Sequence, residues 1–308
     1  MESIITSLIV YIGIFLFGLI LLKIGIQQIS YKKMKALLMK HTNNPIEGFL
    51  IGVVITGILQ SSSSTIVLTV SLTAAGLISF QNTIAIILGA NVGTTVTAEI
   101  MTFSSEYLMW GCLAIGFCLL FIHKPIPFSL GCMFFGLGTI FTALHGFESL
   151  VEPIKQTPLL KESILHISES GGYSLLFGTI VTGIIQSSSA FTGLIMSFMN
   201  EHFIALPAAI IMVLGANIGT CFTAILAAIG STKEAKWTAY AHVWINVIGV
   251  LIFLPIISWF SDFVFQLSSI PGRQLAHASV LFNVIVSLLF LPFIKPFASF
   301  IMFTSKKA

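Results

Sequence analysis

Two stretches of this chain are one stretch written twice. Residues 52–65 read GVVITGILQSSSST and residues 178–191 read GTIVTGIIQSSSAF. Gln60 and Gln186 stand 126 positions apart (186 − 60 = 126). Further on, residues 88–98 (LGANVGTTVTA) and 214–224 (LGANIGTCFTA) repeat at the same spacing, since 217 − 91 = 126 for Asn91 and Asn217. Two separated motifs held at one offset without a gap mean a duplicated unit, the first thing any fold for this chain must satisfy. A weaker echo precedes it, FGLILL from Phe17 and FGLGTIF from Phe135. The two repeat cores, 45–103 and 171–230, are expected to sit within one transmembrane domain over 1–308, with the remaining spans as scaffold.

The solvent for that domain is lipid. Only 8% of the 308 residues are charged and 56% are hydrophobic, whereas soluble domains carry about a quarter charged residues. A span needs about 20 mostly apolar residues. Such stretches run Ile4–Ile26, Tyr107–Ile122, Phe128–Phe147, Trp237–Phe260 and Leu275–Ile294. Two longer blocks, Gly48–Phe103 and Gly171–Gly230, are rich in Gly, Ser and Thr and resist division into simple spans. An all-α integral membrane protein is expected. Glu2 stands where a secretory signal has basic residues, so the first span is read as retained. The net charge of +3 sits in loops between spans and gives no sign of a nucleic-acid partner. Cys112, Cys118, Cys132 and Cys221 form no CxxC pair and are expected to be buried, reduced thiols.

Lysines set the orientation. Lys23, Lys32, Lys33, Lys35 and Lys40 follow the first span, Lys124, Lys233 and Lys236 lie in turns, and Lys295, Lys306 and Lys307 close the chain. Placing all of them inside leaves only Lys155, Lys161 and Arg273 outside, which the positive-inside bias favours. The N-terminus is then outside and the C-terminus cytoplasmic. The basic stretch before the first QSSS has a mixed counterpart, Leu159 to Ser170, before the second. The loop after the first GAN lacks lysine (Ser104-Ser105-Glu106), and the loop after the second carries Lys233 and Lys236. Equivalent loops of opposite charge character predict inverted-topology repeats, a plan of secondary transporters. One re-entrant hairpin carrying QSSS and one broken span carrying GANxGT per copy supply the odd number of crossings required.

Gln60, Ser61, Ser62, Ser63, Ser64 and Thr65 are consecutive polar side chains in an apolar block, and Gln186, Ser187, Ser188 and Ser189 repeat the pattern. An unsatisfied hydroxyl or amide in hydrocarbon costs roughly 2–7 kcal/mol. A continuous helix would turn some of these residues toward lipid. A helix break facing a cavity is the economical solution. It exposes backbone N–H groups that attract anions, and serine hydroxyls add donors of adjustable direction. Interhelical hydrogen bonding is the bland alternative. Gly-Ala-Asn-x-Gly-Thr, in turn, sets Asn91 or Asn217 between two helix-weakening glycines. The carbonyl and hydroxyl oxygens there suit small hard cations; a glycine packing face is the alternative. Glu99, an acid at membrane depth, is a functional suspect by default. No HExxH, Walker loop or GxSxG is present, and the serines have no adjacent His or Asp to activate them. No enzyme, cofactor or transition metal is expected.

Together the paired QSSS segments, each followed by GANxGT, resemble the type II sodium-dependent phosphate cotransporter family and its bacterial members. Ala241-His242-Val243-Trp244-Ile245-Asn246 is similar to that family's His-x-x-x-Asn span. The second copy of that span ends Leu281-Phe282-Asn283, with Ser279 in place of the histidine. Many bacterial relatives carry a soluble C-terminal domain resembling the phosphate-regulatory PhoU proteins; this chain is expected to be a member without it. The resemblance implies sodium-coupled symport of phosphate by alternating access. Phosphate would be held by Gln60, Ser61, Ser62, Ser63, Gln186, Ser187, Ser188 and Ser189. Sodium would be held by Ser64, Thr65, Asn91, Thr94, Thr95, Asn217 and Thr220, with Glu99, His242, Asn246 and Asn283 as support.

Charge accounting points the same way. Neither repeat core contains a lysine or arginine, and a buried dianion without counter-charge is prohibitively costly. Sodium entering with phosphate supplies that charge. Copy one keeps Ser64, Thr65 and Thr95 where copy two has Ala190, Phe191 and Cys221, so sodium is expected on copy one. The expected partners are phosphate, sodium and the lipid bilayer, and a homodimer is compatible with the sequence. A sodium-independent exporter, uniporter or channel for phosphate or another oxyanion is the first alternative; a non-transporting anchor or sensor subunit is the second.

Overall fold

The computed structural model describes residues 1–40 and 44–305, with side chains described outside 30–43. Lys32, Lys33, Lys35, Lys40, Lys306 and Lys307, which carry part of the orientation argument, fall outside the described side chains. Among the described residues the chain is helical and has no strand. It opens with α1 (Glu2–Lys40), then α2 (Pro45–Leu59), α3 (Ser62–Ala74) and α4 (Phe80–Met101). Next come α5 (Glu106–Leu120), α6 (Pro125–Ser149), α7 (Val151–Lys155) and α8 (Pro158–Glu169). The second copy follows as α9 (Gly171–Ile185), α10 (Ser188–Asn200), α11 (Leu206–Gly219) and α12 (Cys221–Ala228). The chain closes with α13 (Lys233–Phe253), α14 (Ile257–Phe265), α15 (Pro271–Phe290) and α16 (Ile294–Thr304). Among the described residues six stretches are long and apolar enough to cross a membrane: Glu2–Ile29, Phe80–Met101, Pro125–Lys155, Leu206–Ala228, Lys233–Phe265 and Pro271–Thr304. The expected span at Tyr107–Ile122 is α5, apolar but only 15 residues long.

The duplication persists to the level of single helix ends. Adding 126 to the bounds of α2 (45 and 59) and α3 (62 and 74) returns those of α9 (171 and 185) and α10 (188 and 200). The arms have 15 and 13 residues, about 20 Å each at 1.5 Å per residue. That is short of the roughly 30 Å hydrocarbon thickness, so each hairpin is too short to span. The turn after each hairpin also matches: Gly76 (φ 70°) and His202 (φ 53°), again 126 apart, are both left-handed.

Helices α2 and α4 approach at their glycines. A Cβ on Gly52 would collide with the Ile86 carbonyl, and one on Gly89 with the Phe49 carbonyl. In copy two Gly178 meets the Met212 carbonyl and Gly215 the Leu175 carbonyl, each 126 later. The GAN glycines are therefore used for close contact. Accordingly α4 runs unbroken through Gly89 and Gly93, unlike the broken span expected of the first GANxGT. Only the second is interrupted, at Thr220 between α11 and α12.

The remaining helices pack beside these cores. α1 and α6 cross where Gly18 and Gly136 each face the other's carbonyl, and α5 packs on α6. Proline turns at Leu254–Ile256 and Leu291–Phe293 bend α13 into α14 and α15 into α16, since proline cannot donate to the helix ladder. Ser287 Oγ on α15 donates to the Leu88 carbonyl of α4 at 3.0 Å. Cys112, Cys132 and Cys221 are buried free thiols as expected. Cys118 is instead exposed, on a helix at the edge of the bundle.

Candidate functional site

Each QSSS is a helix end meeting a helix start. Gln60 (φ 51°, ψ 34°) closes α2 and Gln186 (φ 57°, ψ 26°) closes α9, both left-handed. A non-glycine residue there costs of order 1–3 kcal/mol, a strain found where surrounding structure imposes it and often at sites. The next residue is extended and caps the following helix. Ser61 Oγ accepts from Ser64 N at 3.2 Å, and Ser187 Oγ accepts from Ala190 N at 3.2 Å. The second and third serines form the first turns of α3 and α10, where backbone N–H groups have no partner within the helix.

Both turns open on one cavity of about 200 Å³. All eight residues expected to hold phosphate line it: Gln60, Ser61, Ser62, Ser63, Gln186, Ser187, Ser188 and Ser189. Two helix N-termini thus converge on a space lined by hydroxyls, an arrangement that favours an anion. The two glutamines differ. Gln60 is buried, its Nε2 donating to the Gly57 carbonyl and its Oε1 left without a partner; Gln186 is exposed and also borders a larger open cavity. That larger cavity, about 800 Å³, continues from Ser61, Ser63 and Gln186 past Ser71 of α3 and Thr223 and Ala227 of α12.

A third cavity of about 20 Å³, the size of one water or one small ion, lies against the 200 Å³ cavity. Asn91, Thr94, Thr95 and Asn217 line it, four of the seven residues expected at sodium. Thr94 Oγ1 donates to the Ala90 carbonyl at 2.9 Å and Thr95 Oγ1 to the Val92 carbonyl at 2.7 Å. Their protons are spent within the helix, so the oxygens face the cavity as acceptors. Thr94, Ser188 and Ser189 line both this cavity and the 200 Å³ one. The other three expected ligands are elsewhere. Ser64 borders the 800 Å³ cavity. Thr65 accepts from Thr56 Oγ1 at 2.8 Å inside the hairpin, and Thr220 Oγ1 donates to the Asn217 carbonyl at 2.9 Å.

Of the support residues, Asn283 lines the small cavity. Asn246 Oδ1 accepts from Asn91 Nδ2 at 3.3 Å, and its own Nδ2 donates to the His242 carbonyl at 2.9 Å. His242 is buried and lines none of the three cavities. Glu99 pairs with His277 at 2.8 Å, a partner not foreseen. Thr192 and Ser279 also line the small cavity; Ser279, which stands in place of the histidine of the first His-x-x-x-Asn span, adds a hydroxyl there.

One correction changes the charge accounting. Lys23, expected with the loop lysines, lines both the 200 Å³ and the 800 Å³ cavity. The repeat cores lack basic residues, but α1 carries one to the space between them. The inference that only mobile cations can neutralise an anion there loses its premise.

Paired helix N-termini over a hydroxyl-lined cavity, set in a duplicated membrane core, are an arrangement suited to anion binding in a membrane transporter. The comparisons agree: the chain belongs to the Na+/Pi-cotransporter family, whose model matches it twice, over residues 14–149 and 156–291. YqeW of Bacillus subtilis (strain 168), whose name carries no function, is 42% identical over 272 residues, 88% of this chain and 87% of that protein. YjbB of Escherichia coli K12, provisionally named an inorganic phosphate export protein, is 27% identical over 260 residues, 83% of this chain. The chain spans about half (48%) of YjbB's length. The sodium-dependent phosphate transport protein 2A of Ovis aries is 35% identical over 91 residues, 28% of this chain and 14% of that protein. No solved structure matches this chain.

Proposed function

We propose that this chain is a secondary transporter that moves inorganic phosphate together with sodium across the cell membrane by alternating access. The observation that carries the reading is the shared wall. Thr94, Ser188 and Ser189 belong at once to the anion-suited cavity and to the ion-sized one. An ion bound in the small cavity would fix the hydroxyls that face the large one, and would attract the anion across a few ångströms. Occupancy of each site then favours the other, the reciprocal coupling that symport needs. The family and the sodium-dependent relative support the same assignment.

The proposal includes an inverted repeat. Between the starts of α2 and α9 lie the first hairpin, the long apolar helices α4 and α6, and the 15-residue apolar α5, which packs along α6 and which we take to cross with it. Three crossings, an odd number, would put the two hairpins on opposite faces of the membrane. With the lysine bias, α2 enters from the cytoplasm and α9 from outside, and the 800 Å³ cavity opens toward the cytoplasm. Gly193 of α10 sits close against Leu144, Phe15 and Met101, packing that we take to close the way to the other side. A cytoplasm-open cavity equally fits net export, the direction in YjbB's name; direction depends on the gradients imposed. Phosphate binding to the purified protein, measured calorimetrically in sodium and in choline buffer, tests the coupling. Tight binding only in sodium supports it, and equal affinity in both refutes it.

A further inference from the structure

We propose that Lys23 is a substrate-binding residue whose ammonium supplies the fixed positive charge of the anion cavity between the two QSSS turns. The inference rests on the phosphate-transport reading and adds to it a ligand from outside both repeats.

Leu16, Leu19, Ile20 and Lys23 of α1 line the 200 Å³ cavity. Their spacing of i, i+3, i+4 and i+7 is one helix face, so α1 is a third wall beside the two hairpins. One turn on, Gln27 joins Lys23 along the 800 Å³ cavity. Lys23 therefore stands where the inner cavity meets the open one, on the path an anion would take.

The neutral acceptors there, Gln60 Oε1 and the serine hydroxyl oxygens, do not balance the ammonium's charge. Among the described residues lining the two cavities, Lys23 is the one charged side chain. It has no ion-pair or hydrogen-bond partner among the described residues. The N-termini of α3 and α10 point positive partial charge at the same space. An ammonium and two helix N-termini, set among hydroxyls, form a positive cluster that lacks a counter-charge. A tetrahedral oxyanion with one or two negative charges supplies it. Serine hydroxyls and N–H groups give the shape of the site; a lysine acts there as a mobile point charge.

A lysine near a helix end can also snorkel, burying its stem and sending its charge to the membrane interface. The two roles separate experimentally. Lys23→Arg keeps the charge, Lys23→Met keeps the apolar stem, and Lys23→Gln keeps a donor without charge. In lipid-free detergent with saturating sodium, phosphate affinity in K23M and K23Q should fall roughly 10- to 100-fold, the scale of a lost hydrogen bond to a charged group. K23R should retain most of the affinity. The sodium concentration for half-maximal activation, taken at saturating phosphate, should not move.

A second measurement needs no variant. On wild-type protein, saturating inorganic phosphate should slow modification of Lys23 by an amine-reactive reagent relative to Lys155, as read by mass spectrometry. Phosphate affinity unchanged in K23M, or labelling of Lys23 unaffected by phosphate, overturns the lysine's role while wild-type transport still stands. Wild-type protein that binds no phosphate in sodium overturns the transport reading and the lysine's role with it.

Discussion

Thr56 donates its hydroxyl to Thr65 Oγ1 at 2.8 Å across the first hairpin, while its repeat counterpart, Thr182, has a buried hydroxyl without a partner. One side chain makes the difference. The position equivalent to Thr65 is Phe191 (65 + 126 = 191), fully buried and packed against Phe177. The first hairpin is tied by a hydrogen bond, the second by an aromatic contact. Thr65→Val should therefore strand Thr56 and cost roughly 1–3 kcal/mol, seen as a lower unfolding midpoint in detergent. Thr182→Val removes an orphan hydroxyl and should be neutral or stabilising. Equal losses in both variants would contradict the asymmetry.

The paired glycines give a second expectation. Gly89→Ala drives a Cβ into the Phe49 carbonyl, and Gly178→Ala into that of Met212. Neither obstacle is a flexible side chain, so a cost of roughly 1–3 kcal/mol or more is expected for each. Gly13→Ala meets nothing within 4 Å and should leave the folded yield, measured by size-exclusion chromatography, unchanged.

How much of this was legible beforehand depends on what kind of information each residue carries. The offset of 126 is written in the sequence, and helix ends as far apart as those of α2 and α10 obey it. That the break falls at the QSSS was also readable, because consecutive polar residues at membrane depth need a shared polar space. The glycines of GANxGT were read as weak points of a helix. In copy one they serve contact instead, since whether a missing Cβ bends a helix or admits a neighbour depends on that neighbour. Lys23 was not legible as a site residue. Its position in α1 fixes a helix face but not what the face meets, and no motif marks it. His277 escaped notice for the same reason: its partner Glu99 lies 178 residues away.

The shared wall predicts a three-way split in transport kinetics. Ser63 lines only the two larger cavities, Asn283 only the small one, and Ser188 both the 200 Å³ and the small one. Ser63→Ala should raise the KM for phosphate with sodium activation unchanged. Asn283→Ala should raise the half-activating sodium concentration, by about tenfold for a lost ligand. Ser188→Ala should move both. One common phenotype for the three variants would show that the cavities are not separate sites.

Topology has its own test. In a background without the four native cysteines, single cysteines placed at Glu106 and Glu234 should react with a membrane-impermeant reagent from opposite sides. Glu106 is expected outside and Glu234 inside. Labelling of both from one side would replace the inverted repeat with a parallel duplication.

The central claim is that phosphate moves with sodium, and flux tests it most directly. Purified protein in liposomes, with labelled phosphate outside, should accumulate it when a sodium gradient points inward. Uptake should fall to the protein-free background when choline replaces sodium at equal osmolarity. If each phosphate brings a net positive charge, an inside-negative potential adds about 2.3 kcal/mol per charge per 100 mV; electroneutral transport loses only that increment. Phosphate flux that is undiminished in choline would contradict sodium coupling and leave a sodium-independent phosphate pathway in its place.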